Sequence, residues 1–525
     1  MNLAWILMAT LAAPGQADTA VVCPQAFRPA LTPWLEYRQA QGRRIALIDN
    51  RGTAEQIRAA IRQVARPGKL KAIMLVGDAL SPASRSAGAA TKTIPVHLAP
   101  AKVNVRWGSE PQIATDNWYA DLDDDQTPDV AVGRLTVDSA AELSRVVRKI
   151  LDYERTQGAD LWRRRIHLIA GLGGFGQLAD AALEAAAKSI LTAGIPASYA
   201  SSMTYASWRS PYCPAPALFN QTTIDRLNDG CMFWVYLGHG QRREVDRLYA
   251  PGGAHRILDC GDMPRLDARY GAPIALFLAC YTGAFDTEDC LAEEMLRAEG
   301  GPVAVICGSR VTMPYAMSVL GTEMLKECFH EQRETIGEVL LHAKRNSVLG
   351  PRTDPRSKTL DSLAALLNPN GGDLADERAE HLLLFNLLGD PLLRLRYPRE
   401  LELEAPAAAV AGEPLRVSGE CDLEGEALVE LVVRRDRLTF KPESRGDYRA
   451  SPETSAAYQE TYARANDARL CWQVVPVENG RFAAELETPL DAWGDCHVRV
   501  FVQGQRDFAA NAADIRVRRP ERNKQ

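Results

Sequence analysis

Two residues in this chain stand where chemistry is commonly done. The apolar run Met232-Phe233-Trp234-Val235-Tyr236-Leu237 ends in Gly238-His239-Gly240, and the run Ile274-Ala275-Leu276-Phe277-Leu278-Ala279 ends in Cys280-Tyr281-Thr282-Gly283. Continuous apolar runs of this length read as strands buried on both faces, the habit of parallel sheets, and such sheets take ligands beyond the carboxyl ends of their strands. If the two strands are neighbours, about 4.8 Å apart, the imidazole and the thiol face one crevice. The chemistry they suit is nucleophilic: a thiolate attacks a carbonyl carbon, and an imidazole protonates the departing amine. Backbone N–H groups of Gly240 and Cys280 are candidates to face the developing oxyanion, and the glycines beside His239 let a substrate backbone come close. Each residue also has a plainer reading. A histidine between glycines can be a turn residue, and a cysteine at a strand end is more often core than nucleophile.

The surrounding pattern supplies the elements that must position them. Strands over Arg44–Ile48, Ala72–Val76 and Asp129–Val132 alternate with helices. One helix opens on the capping box of Thr53 and Gln56 with Ile57, Ile61 and Val64 on one face. Another opens on Ser139 and Glu142 with Leu143, Val146, Val147, Ile150 and Leu151 inside. A second series follows: strand Ile166–Ala170, a helix around Leu178–Leu191, the two strands above, a helix near Glu288–Ala298 and strand Pro302–Ile306. The fold class is α/β, a parallel-sheet domain in two halves that part near Tyr153–Trp162. After Pro398 the texture changes to period-two alternation: Val429, Leu431, Val433; Phe482, Ala484, Leu486; Val498, Val500, Val502; Ile515, Val517, with an Asn479-Gly480 turn. Short strands without helices predict an immunoglobulin-like β-sandwich. The expected organisation is a leader over 1–20, α/β halves over 21–155 and 156–397, and a sandwich over 398–520.

Bulk composition narrows the function. With 525 residues, 46% hydrophobic and 24% charged, the chain can bury a sizeable core in about three units. A formal net charge of -6 and a pI near 5.9 leave no broad basic field, which argues against nucleic acid or an anionic membrane as main partner. The opening Met1–Ala13 is apolar but short of the roughly 20 residues a span needs. It suits a secretory leader with small Gly15 and Ala17 before a cut, although its start carries no Lys or Arg. Export to a secreted, periplasmic or cell-surface location follows, with no transmembrane segment downstream. Eleven cysteines occur without a CxxC pair, so a zinc cage is poorly supported. Cys231 and Cys307 sit inside apolar runs and read as inert core.

Gly238-His239-Gly240 followed by Ala279-Cys280-Tyr281-Thr282-Gly283-Ala284-Phe285 resembles the gingipain family of clan CD cysteine peptidases, peptidase family C25. Asp116-Asn117-Trp118-Tyr119, Val132-Gly133-Arg134-Leu135, Leu291-Ala292-Glu293, Pro302-Val303-Ala304-Val305 and Asn386-Leu387-Leu388-Gly389-Asp390-Pro391 match in the same order, over roughly Val21 to Leu395. The resemblance implies a caspase-like α/β fold and an immunoglobulin-like module behind it. It also implies a His239–Cys280 dyad and cleavage of protein or peptide substrates after Arg or Lys. Asp180 falls where the family keeps its S1 carboxylate, which would grip a basic side chain by a charge-assisted hydrogen bond. The same Asp180 also reads as an ordinary first-turn acid on a helix. Three departures stand out. Gln241 replaces the Ser common after Gly-His-Gly, Leu172 falls where an acid assists the histidine, and the fold starts too early for a long pro-segment.

Two further motifs invite other readings. Gly171-Leu172-Gly173-Gly174-Phe175-Gly176 matches the dinucleotide fingerprint, the basis for an alternative as a nucleotide-binding oxidoreductase. The acidic residue that fingerprint wants is absent from Ile195–Ser201, so the glycines fit the rim of a substrate cleft better. Asp121, Asp123, Asp125 and Asp129 alternate on a turn, a pattern for structural Ca²⁺ and equally for a solvated acidic turn; no cofactor is expected for catalysis. A non-catalytic binding or surface protein on the same fold is the remaining alternative.

Overall fold

The structure is a computed structural model that describes residues 16–65, 68–80, 92–156, 161–171, 194–268, 270–350, 355–367 and 374–520. The first fifteen residues of the expected leader, the glycine motif beyond Gly171, the helix expected around Leu178–Leu191 and, with it, Asp180 lie outside the described residues. The chain forms two compact units. The first holds the residues up to Arg155, Gly240–Glu244 and Asp259–Leu395; the second holds Thr156–His239, Val245–Leu258 and Arg396–Gln525.

The large sheet of the first unit has its strands in the order Ile274–Leu278, Ala304–Gly308, Phe385–Leu388, Ala131–Leu135, Ala72–Val76, Thr19–Val22, Ile45–Ile48. The last four run parallel to one another, as do the first two. Phe385–Leu388 joins the groups. It is antiparallel to Ala304–Gly308 and touches Ala131–Leu135 in parallel at one pair, Leu388 opposite Arg134. The two parallel groups therefore point in opposite directions. Most of the strands expected from apolar runs are present within a residue or two. The Thr19–Val22 and Phe385–Leu388 strands carry no comparable signal, the first opening on polar Thr19 and the second interrupted by Asn386.

Helices cover this sheet as their patterns require. Thr53 and Gln56 exchange backbone-to-side-chain hydrogen bonds of 2.9 and 3.3 Å at the start of Ala54–Ala65, which buries Ile57 and Ile61. Glu142 N–H donates to Ser139 Oγ at 3.2 Å ahead of Ala140–Arg155, whose buried face carries Leu143, Val146, Val147, Ile150 and Leu151. Buried ions tie the layers together. Arg38 donates to both Glu154 oxygens, at 2.9 and 2.7 Å, and to Asp390 at 2.6 Å. Arg134, fully buried, pairs with both oxygens of Asp116 at 2.7 and 2.6 Å. Asn386 Oδ1 accepts the Asp116 N–H at 2.9 Å. The motifs around Asp116, Arg134 and Asn386–Pro391 thus serve as a polar brace inside the sheet rather than as reacting groups.

The second unit contains a three-stranded parallel sheet, Ala200–Tyr205, Arg165–Ala170 and Phe233–Leu237, with Arg165–Ala170 in the middle. It also contains a β-sandwich. One layer is Glu402–Glu404, Pro414–Glu420 and Arg481–Glu487; the other is Ala408–Val410, Phe508–Arg518, Gly494–Gln503, Gly425–Val433 and Arg469–Val477. The alternating residues expected inside do share one core, from Val429 and Leu431 to Phe482, Val498, Val500 and Ile515. Asn479 and Gly480 take φ of 53° and 74°, the left-handed pair of a tight hairpin.

The tail is not free of helices, as its alternation suggested: Pro452–Ala465 is a helix, capped by Ser451, whose Oγ accepts the Thr454 N–H at 3.1 Å. Only Tyr458 and Tyr462 of that helix are buried, so it shows no apolar stripe. Both are bound to the α/β part of the unit: Tyr458 hydroxyl donates to Trp208 O at 3.0 Å and Tyr462 meets Thr204 Oγ1 at 2.7 Å. Arg435 donates to the carbonyls of Ile195, Pro196 and Tyr199, and Arg445 to those of Trp208, Ser210 and Cys213. These contacts are why the residues after Arg396 group with Thr156–His239 instead of parting from them at Pro398.

Candidate active site

The Ile274–Leu278 strand is buried along its length and delivers Cys280 two residues beyond its carboxyl end. No disulfide links any of the eleven cysteines. Cys280 is half-buried, whereas the first unit's other cysteines, Cys23, Cys260, Cys290, Cys307 and Cys328, are buried. Burial pushes the Cys23 and Cys260 thiols up to about 12 and those of Cys290 and Cys307 well above the ordinary range. Such thiols stay protonated and unreactive, as expected for Cys307; Cys231 in the second unit is raised by burial in the same way.

The backbone turns sharply at the thiol. Tyr281 has φ of 57°, a left-handed conformation that a side chain rarely adopts. Tyr281 N–H donates to Arg310 O at 3.2 Å, Thr282 N–H to Cys280 O at 2.7 Å and Gly283 N–H to Gly308 O at 2.9 Å. The Tyr281 hydroxyl donates to Glu110 at 2.9 Å. Arg310 is fastened to both oxygens of buried Asp286, at 2.8 and 2.6 Å. Thr312 lies against the sulfur itself: its N–H points to Sγ at 3.3 Å, and its hydroxyl and carbonyl oxygens each lie 3.6 Å away. Gly240 packs here as well. A Cβ on it would come within 2.5 Å of the Cys280 carbonyl oxygen and 2.8 Å of the Thr282 methyl. Among the described residues, neither the Gly240 N–H nor the Cys280 N–H donates to a protein acceptor.

His239 lies two residues beyond the second unit's Phe233–Leu237 strand and is covalently joined to Gly240. Its carbonyl accepts from the Tyr236 hydroxyl at 2.8 Å and from the Asp246 N–H at 3.1 Å. Burial raises the Tyr236 hydroxyl well above its ordinary value, so it stays a proton donor. Gly238, with φ of 156°, leaves room for that hydroxyl, which a Cβ would meet at 2.8 Å. The glycines beside His239 are therefore required by packing within the protein itself. His239 is half-buried like Cys280.

Apart from the strand ends, the Asp loop brings together three of the four acids that the pattern singled out. Oxygens of Asp121, Asp123 and Asp129 lie within 4.8 Å of one another. Asp125 is not in that group; it accepts the Thr127 N–H at 2.7 Å and shapes the turn, where Asp124 and Gln126 both have φ of 70°. Arg58 sits 3.3 Å from Asp121, and burial raises the Asp129 carboxyl. Three hard oxygen donors of this kind fit a calcium ion, with Arg58 as a competing countercharge.

Sequence reasoning passed over Thr312, Arg310 and Asp286. The Ser309–Thr312 segment follows the apolar Ala304–Gly308 strand as Cys280 follows its own, so the strand-end rule pointed there too. Threonine in a loop simply carries no chemical signature.

A half-buried thiol beyond a parallel strand, in a helix-covered sheet, is an arrangement compatible with the α/β cysteine hydrolases as a class. The chain matches the model of peptidase family C25 over residues 12–396 and belongs to that family of gingipain-type cysteine endopeptidases. Among solved structures it is similar to the Arg-specific cysteine proteinase gingipain R, at 18% identity and a TM-score of 0.53, over 97% of this chain and 99% of the other. It is also similar to the complex of Porphyromonas gingivalis RgpB pro- and mature domains, at 17% identity and 0.52, covering 96% and 100%. A structure described only as a protease matches at 16% identity and 0.54, covering 97% and 98%. At these identities the likeness is one of fold. No curated protein matches the sequence. No helix among the described residues is long and apolar enough to cross a membrane.

Proposed function

We propose that this peptidase works through Cys280 as nucleophile and His239 as the proton carrier, by way of an acyl-enzyme that water releases. In the acylation step the Cys280 sulfur bonds to the scissile carbonyl carbon, and the imidazole gives the leaving amine its proton. The N–H groups of Gly240 and Cys280 stabilise the oxyanion. The observation that carries this reading is the position of the one half-buried thiol of the first unit, beyond a strand end and against the glycine next to His239. Cys280→Ala and His239→Ala, purified and assayed on Arg- and Lys-containing peptides, are expected to lose cleavage; full activity in Cys280→Ala sinks the assignment.

The substrate is read as a chain cut after Arg or Lys, with Asp180 as the S1 carboxylate. The family's sequence pattern and the Arg specificity of gingipain R support this. Asp180→Asn should then raise KM for Arg and Lys substrates far more than for neutral ones. We further infer a structural calcium ion at Asp121, Asp123 and Asp129, with Asp125 holding the turn. Calcium should raise Tm, a chelator should lower it, and Asp123→Asn should erase the difference; no shift in the parent protein counts against the ion. The leader-like start supports export, and the two layers over one core support an immunoglobulin-like reading of the tail.

A further inference from the structure

A thiolate needs something to steady its charge, and the ions on the loops beside Cys280 in the first unit, Arg310, Asp286 and Glu110, are engaged with one another. Arg310 is held by Asp286 and lies 3.6 Å from Glu110, and Glu110 takes the Tyr281 hydroxyl. Behind Thr312 stand His381 and Glu377. The His381 Nε2 accepts the Met313 N–H at 3.0 Å, its Nδ1 donates to the Glu377 carbonyl at 2.8 Å, and the Glu377 carboxylate accepts the Ala316 N–H at 3.1 Å. Among the described residues of the first unit, Thr312 lies against the sulfur itself.

We propose that Thr312 holds the Cys280 sulfur and stabilises its anion with two donors, the backbone N–H and the side-chain hydroxyl. This rests on the reading of Cys280 as nucleophile. In the resting thiol the hydroxyl points at the Met317 thioether, Oγ1 to Sδ 3.0 Å, and the sulfur can donate its proton to the Thr312 carbonyl or hydroxyl at 3.6 Å. A thioether is a weak acceptor and a thiolate a strong one, so ionisation favours a turn of the hydroxyl from Met317 to Sγ. The N–H needs no turn. It is fixed because the next residue, Met313, is bound to His381 and is the N-cap of the Pro314–Phe329 helix. Thr312 is 3% exposed, so little water competes for these donors. His239, the proposed partner, supplies the proton traffic; Thr312 supplies fixed dipoles.

The test is the pH profile of Cys280 alkylation by iodoacetamide, read by mass spectrometry of the Cys280 peptide, beside the pH profile of kcat/KM. Thr312→Val keeps the shape and the N–H and removes the hydroxyl. It is expected to slow alkylation at pH 6 about tenfold, with rates converging at high pH, and Thr312→Ser should restore the parent profile. Met317→Leu removes the competing acceptor and should leave low-pH alkylation equal or faster, which covers the case where the valine variant folds poorly. A Thr312→Val profile that overlays the parent, or a slower Met317→Leu, overturns the proposal. Alkylation does not require peptide cleavage. An active Cys280→Ala would therefore discard the nucleophile assignment while the Thr312 comparison still decided its own question.

Discussion

Gly240 has no room for a methyl group, because the atom it would strike is the main-chain oxygen of Cys280 rather than a yielding side chain. Gly240→Ala should displace the thiol by a fraction of an ångström and cut kcat/KM by about a hundredfold. The overpacking itself should cost only about 1–3 kcal/mol, so Tm measured beside the kinetics separates the two effects. Arg38 presents the opposite case. Replacing it with Met leaves Glu154 and Asp390 buried without their cation, and a loss of about 3–5 kcal/mol in urea unfolding is expected with the strand-end thiol untouched. Residues of both kinds differ in how far sequence exposes them. His239, Gly240 and Cys280 were legible because rare residue types interrupt apolar runs. Thr312 was not, since a threonine in a loop has no signature and one of its two proposed donors is a backbone N–H that every residue but proline has.

Among elements, the Leu374–Leu384 helix shows how a buried side chain sets pH behaviour. Burial holds the His381 imidazole down at about 4, from an ordinary value of 6.5, so the folded protein binds fewer protons there than the unfolded chain. Its contribution to stability is complete above pH 6.5 and fades as pH falls toward 4. Burial pushes Glu377, on the same helix, up to about 7, and that contribution fades as pH rises from about 4.5 toward 7. Tm followed from pH 4 to 7 should therefore fall less steeply on the acid side in His381→Gln and on the neutral side in Glu377→Gln. Parent-like slopes in both variants would show that neither proton matters. The elements most visible in sequence were those with a strong period, such as Ala140–Arg155 and the Val498–Val502 alternation. Phe385–Leu388 was hidden by the Asn386 that breaks its apolar run and Pro452–Ala465 by its polarity, since two tyrosines do not make a stripe.

At the scale of the molecule, polar contacts decide what belongs together. Arg435 gathers three carbonyls from Ile195, Pro196 and Tyr199, so Arg435→Met should weaken the second unit by about 3 kcal/mol and make it the first region to exchange amide protons on warming. Hydrogen exchange that leaves Ile195–Tyr199 as protected as in the parent would contradict this. A division at Pro398 looked natural from texture alone because such arginine-to-carbonyl bonds leave no trace in composition. The first unit's sheet has an order of its own. Within it, the strands of residues 19–135 meet the strand that carries Cys280 only by way of Ala304–Gly308 and the short Phe385–Leu388 segment. A ribosome delivers that segment long after the pieces it must bridge. Until residue 388 has cleared the exit tunnel the first unit's sheet lacks its middle, so its two groups of strands can be joined only late in the chain's synthesis.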